Sequence, residues 1–383
     1  VRLEPPIPAD ILEAVRAPFL ESPAHVLDAP VLQPLGQLLD LAGETLRERL
    51  FVVQTADSGP ESCLRTDFTL SALNAHIASG RPSGRYFYAG HVFRVAPAGS
   101  DRPEEFPQIG VEAFEPGDAA LADAQMAAMA WRAALAGGRD DLTLIMGDAG
   151  LFGAVVDALD LAPPLAARLK RAFSRPRKLR AELDSAVNGE AAPTGGERLG
   201  ALLAGLPEAE ATAVLEDIWA LAGIEPVGGR SAEEIVHRLG ERAALARAPR
   251  LTPAEADLFR RFMLIAGEPE VALSAVADLV GKASEALEAG RAAWARRVRE
   301  MAAAGVPRTA VRFAAAFGRA FGYYDGVVFE VRSESLGPDQ PVAAGGRYDS
   351  LPGKLGASLA TGAVGCMVRP GRAWVGSRSG SPA

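Results

Sequence analysis

Gln108, Gly110 and Glu112 occupy alternate positions of the run Gln-Ile-Gly-Val-Glu-Ala-Phe, a polar–apolar alternation that reads as a β-strand. Strand side chains alternate faces, so an amide, a gap and a carboxylate share one side while Ile109, Val111 and Ala113 share the other. Such a surface suits a cationic small molecule with hydrogen-bonding groups. The glycine leaves room for a ligand to approach the backbone. The same alternation also fits a solvated outer face. Arg94, 14 residues before Gln108, and Arg102 between them add fixed positive charge.

A hairpin would hold these residues. Tyr86 to Val95 is rich in aromatic and β-branched residues and reads as a strand. Ala96 to Pro107 contains Pro97, Gly99, Ser100, Asp101 and Pro103 and reads as a loop, and Gln108 to Phe114 forms the second, antiparallel strand. Upstream, Asp10 is placed to cap an amphipathic helix bearing Ile11, Leu12, Val15 and Phe19. Val26 to Pro30 reads as a short strand stopped by proline. Residues 50–70 read as another hairpin, turning at Asp57-Ser58-Gly59-Pro60, after which Asp67 is placed to cap a helix from Leu70 onward. Asp118 to Ala136 is an Ala-rich helix, and Asp141 to Gly150 a strand with a turn.

The 383 residues suffice for two or three folding units. Hydrophobic content of 49% and charged content of 23% are those of an ordinary globular protein. A net charge of −8 argues against general nucleic-acid binding. Cys63 and Cys366 alone make neither a disulfide framework nor a Cys-rich metal site, and His25, His76, His91 and His237 offer no i, i+4 metal pair. With no signal-peptide pattern and no apolar run long enough to span a bilayer, the cytoplasm is the expected location and no membrane partner is expected. Residues 151–305 are dominated by Ala, Leu, Arg and Glu and read as helical; the basic stretch Arg168 to Arg180 within them suits a solvated helix face. Strand signals return after residue 310.

The hairpin, with Phe93-Arg94, the loop and Gln108-x-Gly110-x-Glu112, resembles motif 2 of class II aminoacyl-tRNA synthetases in its histidyl form. Three more segments resemble that family in the right order. Leu64 to Thr69 is similar to Leu-Arg-Pro-Glu-x-Thr, and Arg319 to Val331 to Arg-Gly-Leu-Asp-Tyr-Tyr-x-x-x-Val-Phe-Glu. Ala344 to Asp349 reproduces Ala-Gly-Gly-Arg-Tyr-Asp. The resemblance implies an α+β fold, a class II synthetase-like antiparallel sheet flanked by helices, with a helical insertion. The core's first part would be residues 1–150 (motifs 1 and 2, with Pro30 at a dimer interface) and its second part 306–375. Residues 151–305 would be the insertion and 376–383 a flexible tail. The resemblance further implies a histidine pocket: Asp67, Thr69 and Gln108 on the α-ammonium group, Glu112 and Tyr324 on the imidazole, Tyr348 lining it, and Arg319 on the carboxylate. Arg94 and Arg102 would meet the phosphates of ATP, and no further cofactor or metal is implied.

The chain also departs from the pattern. Thr66 replaces a proline, Asp67 a glutamate and Gly322 an aspartate. Ala96 stands where a glutamate reads adenine, and Glu104 where a second loop arginine is found. Motif 3, Ala-Val-Gly-x-x-x-Gly-x-Glu-Arg, becomes Ala363 to Arg372, in which Arg372 keeps the register but follows Pro370-Gly371. Proline and glycine there would disturb the helix that positions the arginine. Eleven residues follow Arg372, too few for the anticodon-binding domain of about 100 residues. This combination resembles the regulatory subunits of ATP phosphoribosyltransferase, histidyl-tRNA synthetase paralogues that work with a short catalytic subunit. The resemblance implies a non-catalytic, cytoplasmic dimer of class II cores, assembled with catalytic subunits into a hetero-octamer. It would activate the first step of histidine biosynthesis and relay feedback inhibition by L-histidine. Arg94, Arg102 and Arg372 would then be a vestigial nucleotide site, with no tRNA partner. Two other readings stay open: a truncated histidine-activating ligase that forms an adenylate, and a class II-like binding module for another amino acid, which Asp67 and Gly322 admit.

Overall fold

The computed structural model describes residues 1–42, 44–54, 61–173, 176–188, 195–203, 205–223, 231–247, 251–281, 284–318, 323–357 and 362–378. Its strands are β1 (His25–Val26), β2 (Leu32–Pro34), β3 (Val52–Val53), β4 (Ser62–Leu64), β5 (Gly84–Phe93), β6 (Glu105–Glu115), β7 (Leu142–Asp148), β8 (Ala266–Gly267), β9 (Val311–Ala314), β10 (Val327–Ser333), β11 (Ala343–Arg347) and β12 (Gly362–Val368). The helices are α1 (Ala9–Leu20), α2 (Leu35–Ala42), α3 (Thr69–Ser79), α4 (Ala119–Ala136), α5 (Ala149–Ala158), α6 (Pro163–Ala172), α7 (Pro176–Asn188), α8 (Gly195–Leu203), α9 (Glu208–Ala222), α10 (Ala232–Arg247), α11 (Pro253–Leu264), α12 (Pro269–Val280), α13 (Glu285–Ala303), α14 (Leu351–Lys354) and α15 (Pro370–Ala373).

Nine strands form one sheet in the order β1-β5-β6-β12-β11-β10-β7-β9-β8. The run from β5 to β7 is antiparallel throughout, while β1 joins β5 and β9 joins β7 in parallel. Strands distant in sequence thus become neighbours: β12 lies against β6 with Gly365 opposite Glu112. Helix α4 lies on this sheet, packing on β11 and β12 and flanked by α1 and α13. Its buried face is mostly alanine, which lets a helix approach a sheet closely, and Met126, Met129 and Trp131 fill the remaining space. Asp118 caps α4, accepting from the Leu121 N–H at 2.9 Å.

Two compact units result, Val1–Ala154 with Phe262–Ala383, and Val155–Arg261. The second is helical, with an apolar centre of Leu203, Ala211, Leu215, Ala232 and Val236. Within it the basic stretch is engaged with acids, Lys170 with Asp157 at 2.7 Å and Arg168 with Glu182. Of the stretch 151–305, α12 and α13 fold with the sheet. Trp294, Val298 and Met301 of α13 are buried there, and Arg297 reaches Asp123 of α4.

Several local expectations shift. Strand β6 begins at Glu105 and includes Pro107, which lies between the Leu3 bridge at Glu105 and the last β12 pairing (Val368 with Ile109), opposite no ladder partner on that side among the described residues. Helix α1 starts from Pro8 with no side-chain cap, and Asp10 sits inside its first turn, where a negative charge suits the helix dipole. Helix α3 starts from Phe68, whose side chain makes no cap hydrogen bond, with Asp67 one residue before it. The expected turn at 57–60 lies outside the described residues, although β3 and β4 pair as the hairpin requires.

Candidate functional site

Strands β5, β6, β11 and β12, the start of α3 and the segment before β10 enclose a cleft of about 330 Å³, solvent at its mouth included. Asp67, Thr69, Tyr88, Arg94, Gln108, Glu112, Tyr323, Tyr324, Gly345, Gly365 and Cys366 are among its walls. Six of these are singled out by the sequence, Arg94, Gln108 and Glu112 by type and spacing and Asp67, Thr69 and Tyr324 through the family resemblance. Tyr348 stands behind the wall, fully buried, and bonds to Glu112. Arg102 and Arg372 are not among the lining residues. Arg319 and Gly322 lie outside the described residues.

Glu112 is the electrostatic centre. It is 3% exposed and accepts from Thr69 Oγ1 at 2.8 Å, from the Tyr88 hydroxyl at 3.3 Å, and closely from the Tyr348 hydroxyl. Burial pushes its carboxyl up to about 7, and Asp67 adds to the rise while the hydroxyls oppose it. Burial also raises Tyr88 and Tyr348 well above the usual phenol range, with Glu112 reinforcing it, so both remain neutral donors. Glu112 reaches this position because Gly365, opposite it on β12, has no Cβ: one placed there would overlap the carboxylate. The space over Gly110, expected to admit a ligand, holds the Tyr88 ring, since Tyr88 stands opposite it across the hairpin.

Gln108 is 1% exposed, and neither its carboxamide nitrogen nor its oxygen has a hydrogen-bond partner among the described residues. Burying such an amide with both ends unmet costs about 1–3 kcal/mol, which a ligand offering an acceptor and a donor would recover. Arg94 donates from Nε (3.0 Å) and Nη2 (2.8 Å) to the Thr66 carbonyl and lies over the Phe106 ring. That fork fixes the turn before Asp67. Arg65 supports the same turn, donating to the Ala29 and His91 carbonyls at 2.5 and 2.7 Å.

Arg347 and Asp349 hold Tyr348 from either side. Arg347 donates to Asp123 at 2.7 Å, to Asp349 at 2.9 Å and to the Ala119 carbonyl at 3.1 Å. Asp325 receives the backbone N–H groups of Asp349 and Ser350. Sequence reasoning gave no role to Tyr88 or Tyr323. A tyrosine facing a glycine across a hairpin is a readable signal, but only once the register is known.

The arrangement is a cleft with neutral hydroxyls, a titratable acid and an amide unmet among the described residues, built on a class II synthetase-like core. The histidyl-tRNA synthetase family profile matches residues 25–226 and 211–369. A solved structure from Bacillus halodurans, described as an ATP phosphoribosyltransferase regulatory subunit/histidyl-tRNA synthetase, superposes with a TM-score of 0.63 at 19% identity, covering 95% of this chain and 77% of that one. Histidyl-tRNA synthetase from Nostoc sp. PCC 7120 gives 0.58 at 17% identity, covering 94% and 69%. The fold is therefore that of the histidyl-type class II core. Among relatives, the ATP phosphoribosyltransferase regulatory subunit of Agrobacterium fabrum is 37% identical over 343 residues, 88% of this chain and 89% of that one. The one of Chelativorans sp. is 35% identical over 367 residues, 94% of each. The chain belongs to the family of ATP phosphoribosyltransferase regulatory subunits.

Proposed function

We propose that this chain, a regulatory rather than catalytic subunit in histidine biosynthesis, binds L-histidine in the cleft described above and relays it to a short-form catalytic ATP phosphoribosyltransferase subunit as feedback inhibition. The observation that carries the reading is the Gln108 carboxamide, buried in the cleft wall with both ends unmet. A zwitterionic amino acid supplies both an acceptor and donors. Asp67, Thr69 and Gln108 would take its α-ammonium, Tyr324 and the Glu112 cluster its imidazole, and Arg319 its carboxylate. Regulation then is a coupling free energy between histidine in the cleft and the partner's active site.

The reading includes a dimer of class II cores, assembled with catalytic subunits into a hetero-octamer in the cytoplasm, with no tRNA partner. Val26 and Leu32, near the expected motif 1, are 76% and 51% exposed and offer apolar surface for such a dimer. No described helix is long and apolar enough to cross a membrane. The role of the insertion falls to the helical unit Val155–Arg261. Phosphoribosyltransferase activity of a short catalytic subunit, measured with and without this chain and with added histidine, tests the proposal. Activation that histidine reverses is expected. An unchanged rate and no complex would refute it.

A further inference from the structure

Beside the cleft, the first residues of the chain run along the start of β6. Leu3 bridges Glu105, the Glu4 N–H donates to the Glu105 carbonyl at 3.0 Å, and the Arg2 carbonyl accepts from the N–H groups of Glu104 and Glu105. Glu104 holds this strap further: one oxygen accepts from the Arg2 N–H at 3.1 Å and the other from the Ala96 N–H at 3.4 Å. Arg2 Nε donates to the Arg102 carbonyl at 3.2 Å.

The strap delivers the Glu4 carboxylate into a group of arginines. Glu4 accepts from Arg369 Nη2 at 2.7 Å, and the two side chains are 9% and 6% exposed. Arg369 and Arg94 both lie over the Phe106 ring, their guanidinium carbons 3.5 and 5.6 Å from its centre. Arg372, one turn on from Arg369, donates to the Pro341 carbonyl at 2.9 Å, and Arg102 is 3.7 Å from Asp339. Burial lowers the Arg372 pKa, and the like charges of Arg369, Arg94 and Arg102 lower it further, as expected of cations gathered in one place. Gly371 makes the entry possible: a Cβ there would lie 2.5 Å from the Glu4 carboxyl carbon. The second Glu4 oxygen and Arg369 Nε are buried with no hydrogen-bond partner among the described residues, so the Nε–H is a donor this pairing leaves unused.

We propose that Glu4 is the resident ligand of an oxyanion site formed by Arg369 with Arg94, Arg102 and Arg372, and that the strap closes this site to polyphosphates. The proposal rests on reading Arg94, Arg102 and Arg372 as the remnant of a nucleotide site. Removing the Glu4 charge reopens it, because a carboxylate among arginines competes with phosphate for the same donors and repels it.

Calorimetric titration of inorganic tripolyphosphate into the full chain tests this, comparing wild type with Glu4→Gln. The variant is expected to bind at least about tenfold tighter, since a fixed negative charge next to a polyanion costs more than 1.4 kcal/mol at short range. Adding Arg369→Gln to that variant is expected to abolish the gain. Equal affinity in wild type and Glu4→Gln overturns the proposal, as does a gain that survives Arg369→Gln. Should Glu4→Gln lose its melting transition, Arg2→Ala, which loosens the strap by removing its contacts with Glu104 and the Arg102 carbonyl and leaves all four guanidinium groups in place, carries the same comparison. Histidine is titrated into the same wild-type sample. Its failure to bind counts against the proposed function and leaves the tripolyphosphate comparison standing.

Discussion

Glu112→Gln should stabilise the protein increasingly as pH rises from about 4.5 to about 7, and by a nearly constant amount above that. The Glu112 carboxyl rises from its ordinary 4.5 to about 7, chiefly through burial. That difference corresponds to about 3 kcal/mol between its two protonation states. The unfolded chain gives up this proton near pH 4.5 and the folded chain near 7. The fold therefore favours the neutral acid: the contribution is fully present below about pH 4.5 and is lost as pH rises through about 7. Glutamine has nearly the same shape, still accepts from Thr69 and Tyr88, and carries no charge at any pH. In urea unfolding, variant and wild type should match within about 1 kcal/mol at pH 5, and the variant should gain up to about 3 kcal/mol by pH 8 to 9. Other titrating groups cancel in the difference. A ligand bringing a cationic group shifts Glu112 toward its ionised form, so histidine binding at pH 6 should release a proton. Calorimetry in buffers of differing ionisation enthalpy detects that release, and Glu112→Gln should abolish it. A stability gap that stays constant from pH 5 to 9 would refute the reasoning, because the carboxyl would then titrate alike in both states.

Gln108→Leu should leave the unliganded chain as stable as wild type or more stable by about 1 kcal/mol, since a buried, unmet amide is removed. Its histidine affinity should fall by about tenfold or more, and calorimetry that finds unchanged affinity excludes Gln108 from the site. Asp123→Asn should cost about 3–5 kcal/mol, because Arg297 and Arg347, both nearly buried, lose the carboxylate they share at 2.8 and 2.7 Å. Chemical denaturation measures this, and a loss below about 1 kcal/mol would mean the two arginines find other acceptors.

The sequence carried the two-residue period of β6 and therefore the pairing of Gln108 with Glu112 on one face. It also carried α4, whose Asp118 cap and alanine run are local signals. Contacts made across the sheet were not legible. Gly365 gives way to Glu112 only because β12 pairs with β6, and Tyr88 covers Gly110 only in the observed register. Arg347 belongs to a recognisable segment, yet its counter-ion Asp123 lies 224 positions away on α4. No spacing rule connects them.

Ala96, Glu104 and Gly371 make the same point for the departures from the synthetase pattern. Taken one at a time, each is a loss: no adenine reader, an acid in place of an arginine, a break before Arg372. In the fold they act together. Glu104 accepts from the Ala96 N–H and the Arg2 N–H, and Gly371 vacates the space that the Glu4 carboxyl fills. A carboxylate missing at position 371 of the motif is met by one brought in from position 4. Position-by-position comparison sees separate losses where the three-dimensional arrangement pairs Glu4 with Arg369 in the space beside Gly371. Under the proposed closure, the chain's own acid, paired with Arg369, takes a place among these arginines for which a phosphate would otherwise compete.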